Sequence, residues 1–404
     1  MPTASKERLA IDGGAPVRTG TPPPWPVFAQ DEIDAVVSVL KSGQVNQWTG
    51  QLVGNFQDAF SAWHGGMKAI AVSNGSQAIE IALRALGIGA GDEVIVPARS
   101  FVATASCVTL IGATPVFADV DLDTQLITAA TIAPHIGVAT RAVMPVHLNG
   151  RPCDMPAIMK LANEHGLLVI EDCAQSLGAS IDGRLTGTFG HAAAFSFCQD
   201  KIVTTGGEGG MIMTSEDAVW RKAWSFKDHG KSYELAHRPN EPRYRWMHET
   251  AGTNARMTEM QAAIGCRQLT KLGGWIADRQ RNAGALAAAL QRFPCVRIAS
   301  VPDNQVHVFY RLEFSINAVK LRRGWDRDKI IAALGAEGIS AFAGVCPEIY
   351  REQIYARGSD YPILPNAHQL GAESMTLLTH PTLTDAYTRE CVHAIDKVFR
   401  SVCN

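Results

Sequence analysis

FSFCQDKIVTTGGEGGMIMT, Phe195 to Thr214, sets one lysine, Lys201, between an apolar run and a loop whose four glycines are interrupted only by Glu208. AAFSFC before the lysine and GGMIMT after it read as strands, and similar runs recur upstream as AIAVSN, DEVIVPA, TPVFADV, RAVMPVH and GLLVIED. Between some of them stand helical patterns, SQAIEIALRAL, FVATASCVTLIG and MPAIMKLANEHG. Short, nearly continuous apolar strands joined by helices predict a mainly parallel seven-stranded sheet covered on both faces, an α/β domain. The glycines do not make a GxxxxGK[ST] phosphate loop, because Lys201 precedes them, and no GxGxxG stands between a strand and a helix here.

Upstream, a proline-rich arm, TPPPWPVF, leads into DEIDAVVSVLKSG, where Ile33, Val36, Val37 and Leu40 recur at helical spacing and Gly43 supplies a stop. Downstream of Arg256 the rhythm changes to long helical patterns over residues 257–291, a strand-like VHVFYRLEF, a helix at DRDKIIAALGAEG and a last helix around CVHAIDKVFRSV. This predicts an arm over 1–30, a large α/β domain over 31–270 and a smaller α+β domain over 271–404.

Composition narrows the function. The 404 residues are 46% hydrophobic and 19% charged, with 37 basic against 39 acidic side chains and a net charge of -2, so no excess of one sign draws nucleic acid or an anionic membrane. Small-molecule chemistry is the better expectation. Nine cysteines are scattered without a CxxC pair, which argues against a disulfide framework or a zinc site, predicts no metal and fits a reducing cytoplasm. No apolar signal core opens the chain, and no apolar run approaches a membrane span.

Three segments carry chemistry. VSNGSQAIEIAL puts Asn74, Gly75 and Ser76 between a strand and a helix, where free N–H groups and the helix dipole favour an anion such as a phosphate, or where the residues simply cap the helix. VIEDCAQSLGA places Glu171 and Asp172 at the end of a buried strand, the edge at which open α/β sheets bind ligands. Lys201, if held in an apolar site, would lose proton affinity and become a usable amine nucleophile; an isolated lysine is otherwise a surface residue in a turn. Together they supply an anion cradle, an amine and an acid, the set that a pyridoxal phosphate site needs.

With these residues in hand, a family resemblance is apparent. NGSQAIEIAL, PARSFVATASCVTLIGATPVFADVD, MPVHLNG, EDCAQSLGA, AAFSFCQDKIVTTGGEGGMI, GTNARMTEMQAAIG and THPTLT follow, in order over nearly the whole chain, the motifs of the DegT/DnrJ/EryC1/StrS aminotransferases. The resemblance implies a fold-type I, aspartate aminotransferase-like architecture and pyridoxal 5'-phosphate as cofactor, alternating with pyridoxamine 5'-phosphate. It implies transfer of an amino group from glutamate or glutamine to a keto-sugar, which we expect to be nucleotide-linked. Lys201 is then implied to bind the cofactor covalently and shuttle a proton, and Asp172 to pair with its ring nitrogen. Gln175 would lie near the phenolic oxygen and Phe101 on the ring face. Gly75, Ser76 and Ser196 would hold the phosphate, and Asn254 would reach it from a second subunit, so a homodimer with shared active sites is expected. The basic stretch FKDHGKSYELAHRPNEPRYRWMHE (226–249) suits a nucleotide diphosphate.

Two departures from the commoner motif stand out: an additional glycine in Gly206 and Gly207, and Gly-Thr rather than Gly-Tyr ahead of Asn254. Two other readings remain at this point. One is an aminotransferase acting on a cyclitol or another cyclic ketone; the other is a non-catalytic sensor built on the same fold. Deoxygenating relatives carry histidine at the lysine position, which Lys201 argues against.

Overall fold

A computed structural model describes residues 7–238, 246–356 and 361–404. The large sheet is built from β1 (Lys68–Val72), β2 (Glu93–Pro97), β3 (Thr114–Ala118), β4 (Thr140–Val143) and β5 (Leu168–Asp172). After a short hairpin, β6 (Ser180–Ile181) and β7 (Arg184–Leu185), it gains β8 (Ala192–Ser196) and β9 (Gly210–Thr214). The spatial order is β1-β9-β8-β5-β4-β2-β3, and β9 alone runs against the rest. All seven expected strands are present and the sheet is mainly parallel. Ile70, Val94, Val96, Ile170 and Ile212 are fully buried, as strands covered on both faces require.

This order brings chemistry to one edge. The C-terminal ends of β1, β2, β5 and β8 point the same way, and the reversed β9 begins at that edge, with Gly210 opposite Val72 on one side and Ser196 on the other. The turn after β1, the helix start after β2, the Asp172 turn and the Lys201 turn therefore converge.

The smaller unit has an antiparallel sheet of β10 (Val296–Arg297), β12 (Leu312–Ile316), β13 (Ala341–Phe342) and β14 (Ser374–Leu377), ordered β10-β12-β14-β13. β11 (Gln305–Val306) instead joins β6. A core around Leu286, Phe314, Ile395 and Phe399 lies beneath the smaller sheet. The expected strand Val306–Phe314 is interrupted at Phe309, whose φ of 46° breaks the ladder and turns Tyr310 and Arg311 out of it.

The residues expected to form several helices from Met257 onward make one, Glu259–Leu290, opened by a capping box of Thr258 with Gln261. It passes through Gly273 and Gly274, packing Ala262, Leu269 and Leu272 on the large core and Ala283, Leu286 and Leu290 on the small one. Residue 270 lies inside this helix. The first helix, Gln30–Ser42, turns Ile33, Val37 and Leu40 to solvent, at 45%, 38% and 56% exposure. No described helix is long and apolar enough to cross a membrane. One cysteine pair departs from the expected scatter: Cys295 and Cys403 are disulfide-bonded, because the chain end is brought back beside the start of β10.

Candidate active site

The anion end of the site begins at Asn74, which caps the helix Gly75–Ala85 by accepting from the Gln77 N–H at 2.9 Å. Gly75, the first helical residue, lies directly against β8. A Cβ there would stand 2.6 Å from the Ser196 Cβ and 3.0 Å from its Oγ. A Cβ at Gly210 would likewise meet the Asn74 carbonyl oxygen at 2.4 Å. Helix start and strand end can approach only because both positions lack side chains. Ser196 presents its hydroxyl here, accepting from the Cys198 N–H at 3.3 Å, and Ser76 is exposed.

Asp172 ends β5 with only 4% exposure. It accepts from the Thr104 hydroxyl at 3.0 Å and the Ala174 N–H at 3.1 Å. Burial pushes its carboxyl above the ordinary value, and those hydrogen bonds with the nearby charges of His147 and Lys201 do not overcome that push. Among the described residues no basic side chain lies within ion-pair distance of it. Beneath it, Glu171 accepts from the N–H groups of Gly187, Phe189 and Gly190 and contacts His147 Nε2 at 3.1 Å, while His147 Nδ1 accepts from the Cys153 N–H. This closed network fixes the floor on which Asp172 stands. Gln175 is buried and holds the backbone N–H of Asn149 through Oε1 at 2.7 Å, leaving its NH2 as donor. Phe101, after β2, is 64% exposed and so does not belong to the core.

Lys201 sits in the turn after β8, its side chain 16% exposed. Nζ is 3.4 Å from both Asp200 Oδ1 and the Tyr310 hydroxyl, and Tyr310 donates to the other Asp200 oxygen. The expected loss of proton affinity is overturned: burial does lower it, but Tyr310 and Asp200 together raise the lysine above its ordinary value. The lysine's backbone carbonyl accepts from Trp25 Nε1 of the arm at 3.1 Å. Gly206 and Gly207 both take positive φ, 86° and 118°, so the additional glycine answers a conformational need.

Asn254 stays outside this cluster. It is exposed on the segment bridging Asp228, and Ala255 beside it accepts from the Ser73 N–H. The expected basic stretch contributes Lys231, whose amine lies over the rings of Trp48 and Trp246; residues 239–245 of that stretch lie outside the described residues. The structure thus brings together Gly75, Ser196, Asp172 and Lys201. It adds Thr104, Asp200, Tyr310, Arg311 and Trp25, which sequence reasoning missed. Only Asp200 had a local signal, its place beside the lysine.

Residues 26–396 match the model of the DegT/DnrJ/EryC1/StrS aminotransferase family. The chain is 36% identical over 371 residues to a GDP-perosamine synthase of Caulobacter vibrioides, covering 91% of this chain and 95% of that protein. It is 40% identical over 294 residues to a UDP-N-acetyl-3-dehydro-alpha-D-glucosamine 3-aminotransferase of Acidithiobacillus ferrooxidans, covering 72% and 74%. Among solved structures, an aminotransferase from Psychrobacter cryohalolentis superposes with a TM-score of 0.91 at 45% identity, covering 94% of this chain and 99% of that one.

Proposed function

The chain belongs to the DegT/DnrJ/EryC1/StrS aminotransferase family, and from that premise we propose that it holds pyridoxal phosphate and carries an amino group from glutamate or glutamine to a nucleotide-linked keto-sugar. The observation that carries this reading is the meeting of Gly75 with Ser196, of Asp172 and of Lys201 along one sheet edge. These residues fit the group: a cradle whose glycines admit no Cβ suits its phosphate, and a buried carboxyl, held in place by Thr104 and the Ala174 N–H, suits its protonated ring nitrogen. When bound, pyridoxal phosphate supplies an aldehyde that takes up amines and a ring that accepts negative charge from the reacting carbon.

The chain's own residues do the rest. The helix start at Gly75 and Ser76, with the Ser196 hydroxyl, would anchor the phosphate. Asp172, ionised once a cation faces it, holds a positive charge at the buried end of the site. Phe101 would cover one face of the ring, and the Gln175 NH2 would be available to its phenolic oxygen. Lys201 Nζ would hold the cofactor and, as a free amine, would move a proton to and from the substrate carbon. We assign the arm to 1–30, the cofactor-binding domain to 31–270 and the smaller domain to 271–404.

Sharing of sites between two copies has its support in the exposed apolar stripe of Ile33, Val37 and Leu40 and in Asn254, which lies outside its own chain's cluster. Nucleotide linkage is supported by the two relatives named for GDP and UDP sugars. The test is the visible absorbance of the purified protein before and after addition of L-glutamate or L-glutamine, followed by a panel of nucleotide-linked keto-sugars set against inososes. An absorbance indifferent to both donors would sink the proposal, and amination of inososes alone would move the acceptor to the cyclitols.

A further inference from the structure

Asp200 occupies an unusual position. Its carboxylate is 47% exposed, yet it is gripped on three sides: by the Tyr310 hydroxyl, by Lys201 Nζ at 3.4 Å and by Arg311 Nη2 at 3.7 Å. Arg311 is itself steadied between the rings of Phe342, at 4.9 Å, and Tyr310, at 5.6 Å. Behind them Arg279 is fully buried, gives one N–H to the Tyr310 carbonyl at 3.2 Å and has Nε and Nη2 without partners among the described residues. Three cations thus face one carboxylate, and the surplus is positive.

The spacing is informative. In an α-amino acid, bond geometry puts the amine nitrogen and a carboxylate oxygen about 2.7 to 3.6 Å apart. Lys201 Nζ and Asp200 Oδ1 reproduce that separation. An ordinary ion pair has this spacing too; what singles out the place for the donor's carboxylate is that Tyr310 and Arg311 both reach the carboxylate beside the lysine amine that the donor's amine must displace.

We infer that Tyr310 and Arg311 form the site for the amino donor's α-carboxylate, and that Asp200 occupies it between turnovers. This rests on the aminotransfer reading above. An enzyme that treats an amino acid and a sugar in one site meets a charge problem, since the sugar brings no carboxylate to Arg311. Asp200 solves it. It lies in the short turn between β8 and Lys201, half in solvent, and swings out when the donor's carboxylate arrives; when the sugar enters, it returns and leaves no cation uncompensated. The carboxyl is already an anion ready for exchange: burial works against ionisation, but Lys201, Tyr310 and Arg311 hold it below its ordinary value.

The experiment is the donor half-reaction of the cofactor-loaded protein, followed by visible absorbance over a concentration series of L-glutamate and, separately, L-glutamine. Arg311→Gln is expected to raise the half-saturating concentration of both donors on the order of tenfold or more, with the limiting rate changed less than about threefold. Asp200→Asn removes the competing anion and is expected to lower it, by roughly threefold. Glutarate, a carboxylate without an amine, should compete in the wild type and lose potency in Arg311→Gln. Opposite movement of the two variants is diagnostic, because a merely structural role would harm both. If the wild type reacts and Arg311→Gln leaves half-saturation unchanged, or Asp200→Asn raises it, this inference falls alone. If the wild type reacts with neither donor, the donor assignment falls first and takes the inference with it.

Discussion

Lys201 and Lys227, 26 residues apart in the larger domain, both hold their amines largely away from solvent, and they end in opposite states. Lys201, with 16% of its side chain exposed, has a carboxylate and a hydroxyl at 3.4 Å and is raised above its ordinary proton affinity. Lys227, the last residue of the helix Asp217–Lys227, is fully buried, and its amine reaches an amide, Gln47 Oε1 at 2.7 Å. The adjacent Asp228 is already engaged by Lys231, Arg256 and Trp48. Lys227 is therefore pushed down to about 7, chiefly by burial. Depth of burial does not by itself decide the charge of a lysine; an available carboxylate does.

The sharpest way to break the comparison is to delete the reactive amine. Lys201→Ala is expected to lower amino transfer by a factor of about 10⁴ or more, because attachment and proton transfer both depend on Nζ. Addition of donor should then leave the visible absorbance unmoved; a normal response would remove Lys201 from the chemistry. Next in size is Asp172→Asn, which keeps the shape and the Thr104 contact but removes the charge facing the cofactor. A drop of about 10² to 10³ in limiting rate is expected, and a rate within threefold of wild type would mean that some other acid pairs with the ring.

These two residues were legible in the sequence, and the partners that set Lys201's charge largely were not. Asp172 ends one apolar strand and Gly75 stands just after another, so a local pattern sufficed to expect them, with Lys201, at one sheet edge. Tyr310 lies 109 residues from Lys201 and Trp25 lies 176 away, so no local pattern announces them. Tyr310 was also hidden in an expected strand that a positive φ at Phe309 interrupts. The long helix through Gly273 and Gly274 misled for another reason: glycine's cost in a helix, about 1 kcal/mol each, is outweighed by burying one face against two cores. The stripe of Ile33, Val37 and Leu40 was read correctly as apolar, but periodicity does not say whether such a face meets its own core or another surface.

Lys227 offers the next test. Its folded value near 7 lies below the unfolded value of 10.5, so between these the unfolded chain binds the extra proton. Stability contributed by the neutral amine is present above the unfolded value and is lost as pH falls toward 7, at about 1.4 kcal/mol per pH unit. Lys227→Met has no such proton to bind. Its stability relative to wild type, from urea unfolding at pH 9 and pH 7, should therefore improve by roughly 2 kcal/mol toward the lower pH. A pH-independent difference would show that Lys227 stays charged in the folded protein, and the contrast with Lys201 would vanish.

The smallest effect concerns how Lys201 is held. Trp25 is wedged edge-on against Trp275 at 5.2 Å and stacked on His380 at 6.0 Å, with Arg279 over its ring at 5.2 Å, and its single N–H goes to the Lys201 carbonyl. Trp25→Phe keeps an aromatic ring among these neighbours and removes only the donor, so about 1 kcal/mol is at stake, or roughly fivefold in local opening. The Lys201 N–H, bonded to the Cys198 carbonyl at 3.1 Å, should then exchange with solvent about fivefold faster, while amides in β12 keep their rates. Equal acceleration at Ala255, whose N–H bonds the Lys227 carbonyl, would mean that the arm steadies the whole domain rather than this turn. The asymmetry expected instead follows from the anchoring: Lys227 is fixed by the helix it ends, whereas Lys201 stands in a turn whose backbone needs a partner from the arm.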